Sequence, residues 1–564
     1  MTPLPLFGAL ALLPLLPQLA ATDAEAPPRL VLQITVDQLR GDLPARVRER
    51  LEPGGFRYFF EQGLWFADAH YEHANTETIV GHTTLATGAQ PAMHGMVGNV
   101  WLDRETGVMT YNIEDERYPL LTAGADVDRT TEVDPTQRAA TTEGRSPERI
   151  DVSTIGDELM IHSAGRAKVF GVSVKDRGAV SMAGHTGKAF WFSKAKGEFV
   201  TSSYYYDSYP EWVVEWNAAQ RPVRYGGTAW ELSREQSSYQ FGDADDSPWE
   251  TDFPGYGRTF PHPFGEADGK YFTTLLTLSP VGDELTEEFA ESLLVQEGLG
   301  QDGITDYLSV SFSSTDYVGH IFGPSSLEME ENLLRLDRTL ARLLAFVDEQ
   351  VGLERTLVVL SADHGGPEVP GYLTELGIRA DYVHPDRWNR EPGIAALVER
   401  FGVGQDLIAR FFQPYLYLDR EVMAERGLDP AEVAAAVATE VRRLDGVREA
   451  LSSHDLLAGR VADTPLTRSI LNSFHPKRSG DVIVVFEPHR FINDFDGLSV
   501  AATHGSPWSY DTFVPIAFAG AGVPAGMVHR RVAPTGIAPT IAAFLGFKAP
   551  SGALGEPFLE LLGE

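Results

Sequence analysis

"RLVLQITVD", residues 29–37, is a near-continuous run of branched apolar residues that ends on a carboxylate. Such a run suits a strand buried on both faces, because a half-exposed strand alternates apolar with polar residues. Five more runs share this character: KVFGVSV (168–174), YLSVSFS (307–313), TLVVLS (356–361), DVIVVFE (481–487) and FVPIAFAG (513–520). Burial on both faces requires covering helices, and helical patterns lie between the runs. In residues 326–351, Leu333, Leu336, Leu340, Leu343 and Val347 recur at three- and four-residue steps and form one apolar stripe. APTGIAPTIAAFLG (533–546) reads as a helix closed by Gly546. The expected fold is an α/β three-layer sandwich around a mostly parallel sheet.

Two stretches break this rhythm. Residues 190–270 are aromatic-rich (SSYYYDSYPEWVVEW, 202–216) and lack a period. Residues 376–480 carry their own pattern: PYLYLD (414–419), PAEVAAAVATEVRRL (430–444) and GVREALS (446–452). Both read as insertions over a core site. The aromatic stretch is either a substrate-facing lid or a packed surface excursion. The main domain is expected to span residues 27–564.

Composition narrows the function. Forty-six Lys and Arg against 80 Asp and Glu leave a formal net charge of −34. That surface repels nucleic acid and anionic membranes, so no nucleic-acid partner is expected. Any anionic substrate needs local positive charge. There is no cysteine, which excludes disulfides, thiolate-bound zinc and thiol nucleophiles. The apolar opening segment, broken by Pro14 and Pro17, is too short for a good membrane span. It reads as a signal peptide over residues 1–24, with small residues Ala20, Ala21, Ala24 and Ala26 near the cut. The mature chain is expected to be periplasmic or secreted, with no membrane span.

In a doubly wound sheet, sites form beyond the carboxyl ends of the strands. Asp37 follows the first run. TDYVGH follows the third, with Asp316 and His320. ADHGG follows the fourth, with Asp363 and His364. ATHGSPW precedes the sixth, with His504. Alone, each is weak: an Asp after a strand is usually a cap, and a loop His is usually solvated. Together, three carboxylates and three imidazoles suit two divalent cations with O and N ligands, which zinc accepts. Thr78 opens the run TIVGHTTLATG as a helix cap. A divalent cation lowers the pKa of a hydroxyl, so the cap and a nucleophile can be the same residue. A helix start also favours a phosphate-like anion. Lys175 and Arg177, two apart at a strand end, leave on one face as the positive charge such an anion needs. Asn99 is a neutral donor in a Gly-rich loop.

These residues resemble the alkaline phosphatase superfamily, and within it the secreted, monomeric bacterial alkaline phosphatases with a threonine nucleophile. The resemblance rests on TVDQLRGD, TETIVGHTTLATG, HGMVGNVW, VKDRGA, FSSTDYVGHIFGP, SADHGG and THGSPWSYD, in order over nearly the whole mature chain. It implies two zinc ions, one held by Asp316, His320 and His504, the other by Asp37, Asp363, His364 and the Thr78 oxygen. It implies that Asn99, Lys175 and Arg177 hold the phosphate. The sequence departs at Ile79 and Val80, where small residues such as Gly-Pro are expected. The implied reaction is hydrolysis of small phosphate monoesters through a phosphothreonine, by a monomer. Two zincs would offset three aspartates and a deprotonated threonine, leaving Lys175 and Arg177 to match a dianion. The alternative is a phosphodiesterase or nucleotide pyrophosphatase of the same superfamily. A remote one is a catalytically dead metal- or phosphate-binding protein, although no ligand position is missing.

Overall fold

The computed structural model describes residues 27–563 except Glu105 and Asp496, so the predicted signal segment lies outside the described residues. Nine strands form the central sheet. In chain order they are β1 (Leu30–Val36), β2 (Leu64–His70), β3 (Val169–Ser173), β4 (Lys188–Ser193), β5 (Glu198–Val200), β6 (Asp306–Phe312) and β7 (Thr356–Ser361). After four strands of a second sheet, β8 (Ile408–Phe412), β9 (Tyr415–Leu418), β10 (Val447–Ser452) and β11 (Val482–Phe486), come β12 (Phe513–Gly520) and β13 (Gly526–Val532). The spatial order is β13-β2-β12-β7-β1-β6-β3-β4-β5. All pairings are parallel except those of β12 with its two neighbours and of β4 with β5.

Helices that position the site or cover the sheet are α1 (Thr78–Thr87), α2 (Asp176–Ala183), α3 (Val281–Gln296), α4 (Ser314–Ile321), α5 (Leu327–Gln350), α6 (Pro430–Val441) and α7 (Ile537–Leu545). Alternation along β1 separates the layers. Leu30, Leu32, Ile34 and Val36 join a core with Phe289 of α3 and Leu336, Leu340 and Leu343 of α5. Val31, on the other face, joins Leu85 of α1, Met182 of α2 and Ile537 and Ile541 of α7. Helix α5 matches the predicted stripe, and Ser326 caps it through its side chain. Helix α7 ends at Gly546, whose φ of +75° is the left-handed cap conformation that glycine adopts without a Cβ penalty.

One expectation needs correction, and of the two readings of the aromatic stretch the structure has the packed one. DVIVVFE supplies no strand of the central sheet. Its residues form β11 in the antiparallel sheet β8-β9-β11-β10, which packs against α6 around Val433, Val437 and Val484. A fully buried run looks alike in either sheet, so periodicity could not separate them. The aromatic-rich stretch does not roof the site. Phe199, Trp216, Trp230, Tyr239, Phe253, Tyr256 and Phe264 pack into the core of α3 and α5. Phe199 stacks on Phe289 at 4.1 Å between centroids, and none of these residues lines the central cavity. Among the described residues, no helix is long and apolar enough to cross a membrane.

Candidate metal and phosphate site

The parallel strands deliver their ligands to one edge. Asp37 follows β1 directly, its N–H donating to Phe312 O at 2.8 Å. Asp316 and His320 lie one turn apart on α4, with His320 Nε2 3.3 Å from Asp316 Oδ1. Asp363 and His364 follow β7. His504 precedes β12, and because β12 runs antiparallel to β7, its amino end lies at the carboxyl edge of its neighbour. His504 Nε2 is 3.4 Å from Asp316 Oδ1, and the His364 and His504 rings stack at 3.6 Å.

Two triads result, Asp316–His364–His504 and Asp37–Asp363–His364, each with its ligand atoms within 4.8 Å of one another. His364 thus stands between the two groups. The Nδ1 atoms of His320, His364 and His504 lie 2.7, 2.9 and 2.7 Å from the carbonyls of Ala502, Gly365 and Thr76. Each Nδ1–H therefore donates outward, which turns Nε2 toward the carboxylates. Burial pushes the His364 pKa down to about 3 and lowers that of His504, so both rings are neutral bases. Burial and then Asp363 push the Asp37 carboxyl well up. Burial also acts to raise Asp316, but Lys175 and His320 override it and hold that carboxyl well below its ordinary value. Asp37 Oδ1 and His364 Nε2 are buried without a hydrogen bond. Unpartnered oxygen and nitrogen donors facing each other fit divalent cations such as zinc.

Gln38 ties the two triads together. Its N–H donates to Asp363 Oδ1 at 3.1 Å and its Nε2 to Asp316 Oδ1 at 2.9 Å, from a backbone φ of +64°. A side chain on Gly319 would strike Gln38 Oε1 at 1.7 Å. The sequence reading passed over Gln38, since a residue after a ligand carries no signal of its own.

Thr78 is the first residue of α1, and the cap position is Glu77 without a side-chain cap bond. Thr78 is therefore not the cap that the sequence suggested. Ile79 and Val80 are fully buried in an apolar cluster, so their bulk is accommodated. Small size is required one residue later. A Cβ on Gly81 would lie 1.9 Å from Asp363 O. Gly81→Ala should destabilise the fold by about 3 kcal/mol, measured by denaturant titration, because backbone faces backbone with no side chain to yield.

Lys175 and Arg177 do not share a strand face. β3 ends at Ser173, Lys175 is the N-cap of α2, and Arg177 lies in its first turn. The cations diverge. Lys175 Nζ lies 2.7 Å from Asp37 Oδ2 and 2.5 Å from Asp316 Oδ2, inside the carboxylate cluster. Arg177 Nη2 donates to Thr78 Oγ1 at 3.3 Å, and its Nη1 pairs with Asp134 at 2.8 Å. Asp134 also caps a short helix through its side chain, and the sequence reading did not single it out. Asn99 accepts from Ile79 N–H at 3.2 Å through Oδ1, beside Thr78. A cavity of about 510 Å³ opens over Thr78, Asn99, Arg177, Asp316, His320 and His504.

Comparison with known proteins agrees with this geometry. The type I phosphodiesterase / nucleotide pyrophosphatase family matches residues 31–507. Alkaline phosphatase PafA of Elizabethkingia meningoseptica is 32% identical over 548 residues, 96% of each chain. Alkaline phosphatase PhoV of Synechococcus elongatus is 32% identical over 553 residues, 95% of this chain and 93% of its own. The crystal structure of PafA matches with a TM-score of 0.87 at 32% identity, covering 96% of this chain and all of that one. This chain belongs to the type I phosphodiesterase / nucleotide pyrophosphatase family, within the alkaline phosphatase superfamily.

Proposed function

We propose that this protein is a periplasmic or secreted alkaline phosphatase that hydrolyses phosphate monoesters through a phosphothreonine on Thr78. The observation that carries this reading is Arg177 reaching Thr78 Oγ1 beside six converged carboxylate and imidazole ligands. Asp316, His320 and His504 would hold one zinc ion, and Asp37, Asp363, His364 and Thr78 the other. When bound, the ions lower the pKa of the hydroxyl and offset the buried carboxylates. Arg177 and Asn99 orient the phosphoryl group. Thr78 Oγ1 bonds to phosphorus as the bond to the leaving oxygen breaks, and water then cleaves the phosphothreonine to release inorganic phosphate.

The family match keeps a diesterase reading in view, and charge separates the two. A monoester brings two negative charges and a diester one. Arg177 is buried, and it stays charged because Asp134, Tyr111 and Asp176 outweigh its burial. A charge-assisted hydrogen bond contributes about 1.5–3 kcal/mol. Arg177→Ala should therefore lower kcat/KM for p-nitrophenyl phosphate by about tenfold or more. Bis-p-nitrophenyl phosphate should lose much less. Equal losses on both substrates would favour the diesterase.

A further inference from the structure

The cavity has two unlike halves. Its floor is polar, with Thr78, Asn99, Arg177 and the metal-type ligands. Its lining also carries an apolar set, Phe411, Phe412, Ile492, Leu498 and Val500, which forms a wall from two chain segments. We propose that this wall is the leaving-group subsite and selects monoesters with an aromatic or similarly apolar leaving group over those whose leaving group is polar or further charged. The inference rests on the phosphatase reading above and names its substrate class.

The wall is held rigidly against the floor. Phe411 and Phe412 end β8, and the turn to β9 carries Gln413, whose Nε2 donates to Gly505 O at 2.9 Å, next to His504. Tyr415 Oη, at the start of β9, lies 3.2 Å from both Val97 O and Ser473 O and shares its one hydrogen between them. The hairpin is thus tied to the His504 loop and to the loop that carries Asn99. Phe411 also packs on Trp388, with centroids 5.2 Å apart. Leu498 and Val500 belong to a separate segment fixed by Ala501 N–H donating to His320 O at 2.9 Å. Phe411, Phe412, Ile492 and Leu498 are only half-buried, so apolar area remains for a ligand to cover.

Charge on the wall points the same way. Asp494 is acidic, Arg138 is basic, and Arg177 is already engaged at the floor with Thr78 and Asp134. Among the described residues, Arg138 and Arg177 are the cations of the lining, fewer than a polyphosphate tail would require. An uncharged aromatic group fits this surface, and a further phosphate does not.

The test compares phenyl phosphate with glycerol 2-phosphate in wild type and in Phe412→Ala. Each variant is referred to wild type on the same substrate, which cancels the intrinsic reactivity of the leaving group. Phe412→Ala should lower kcat/KM for phenyl phosphate by about tenfold and leave glycerol 2-phosphate within about twofold. Inhibition by phenylphosphonate should weaken in parallel, with inhibition by inorganic phosphate unchanged. Leu498→Ser, on the other segment, should give the same selective loss, which guards against a folding defect in one variant. Equal losses on both substrates in both variants would overturn the subsite and leave the phosphatase reading intact. No hydrolysis of either ester by wild type would overturn both.

Discussion

Thr78→Ala should lower turnover of phosphate monoesters by about a thousandfold or more, equivalent to ~4 kcal/mol of lost transition-state stabilisation. Among the described residues Arg177 reaches two hydroxyls: Thr78, which lines the cavity, and Tyr111, whose phenol burial pushes well up and which also donates to Asp176 at 2.6 Å. The fold should survive. The Thr78 side chain makes no cap bond, and alanine is a better helix former than threonine. The melting temperature should therefore stay near that of wild type while activity disappears. Thr78→Ser keeps a hydroxyl and should keep part of the rate. Acid quenching during turnover of a labelled substrate should leave the label on the peptide that contains Thr78. Label on another residue would remove Thr78 from its role.

Removing the metal ions should have an effect of similar size on activity and a second effect on stability. Asp37, Asp316 and Asp363 are buried together, and Lys175 places an ammonium against two of them. Without cations, Asp316 and Asp363 keep their charges in a buried region while Asp37 must take up a proton to avoid adding a third, and each uncompensated buried charge costs several kcal/mol. Chelation should therefore abolish hydrolysis and lower the melting temperature by several degrees. Zinc should restore both, with about two ions per chain by metal analysis. The stability change follows from mass action, since a ligand at a thousandfold its Kd adds about 4 kcal/mol to the folded state. Full activity in protein shown to be metal-free would end the two-metal reading. Loss of activity with an unchanged melting temperature would mean that the carboxylate cluster relaxes without cations.

The sequence by itself determined the elements whose signals are local. β1, β6 and β7 were legible because strands covered on both faces must be apolar along their whole length. Helix α5 was legible because one stripe of leucines faces the sheet. The convergence of the carboxylates and imidazoles that follow β1, β6 and β7 could be read because parallel strands in one sheet end at one edge. Tertiary structure alone decided the remainder. The place of β11 in the second sheet depends on which partner strand its backbone meets, and a buried run carries no mark of that. The aromatic stretch packs on Phe289 of α3 instead of roofing the site because apolar area is buried wherever a complementary surface exists. Lys175 and Arg177 are neighbours in sequence, yet a helix start between them sends one cation to the carboxylates and the other to Thr78. His504 joins Asp316 because β12 is antiparallel, and Asp134 meets Arg177 across 43 positions of chain. Such pairings are set by strand direction and by contacts distant in sequence, and no local pattern of residues encodes either.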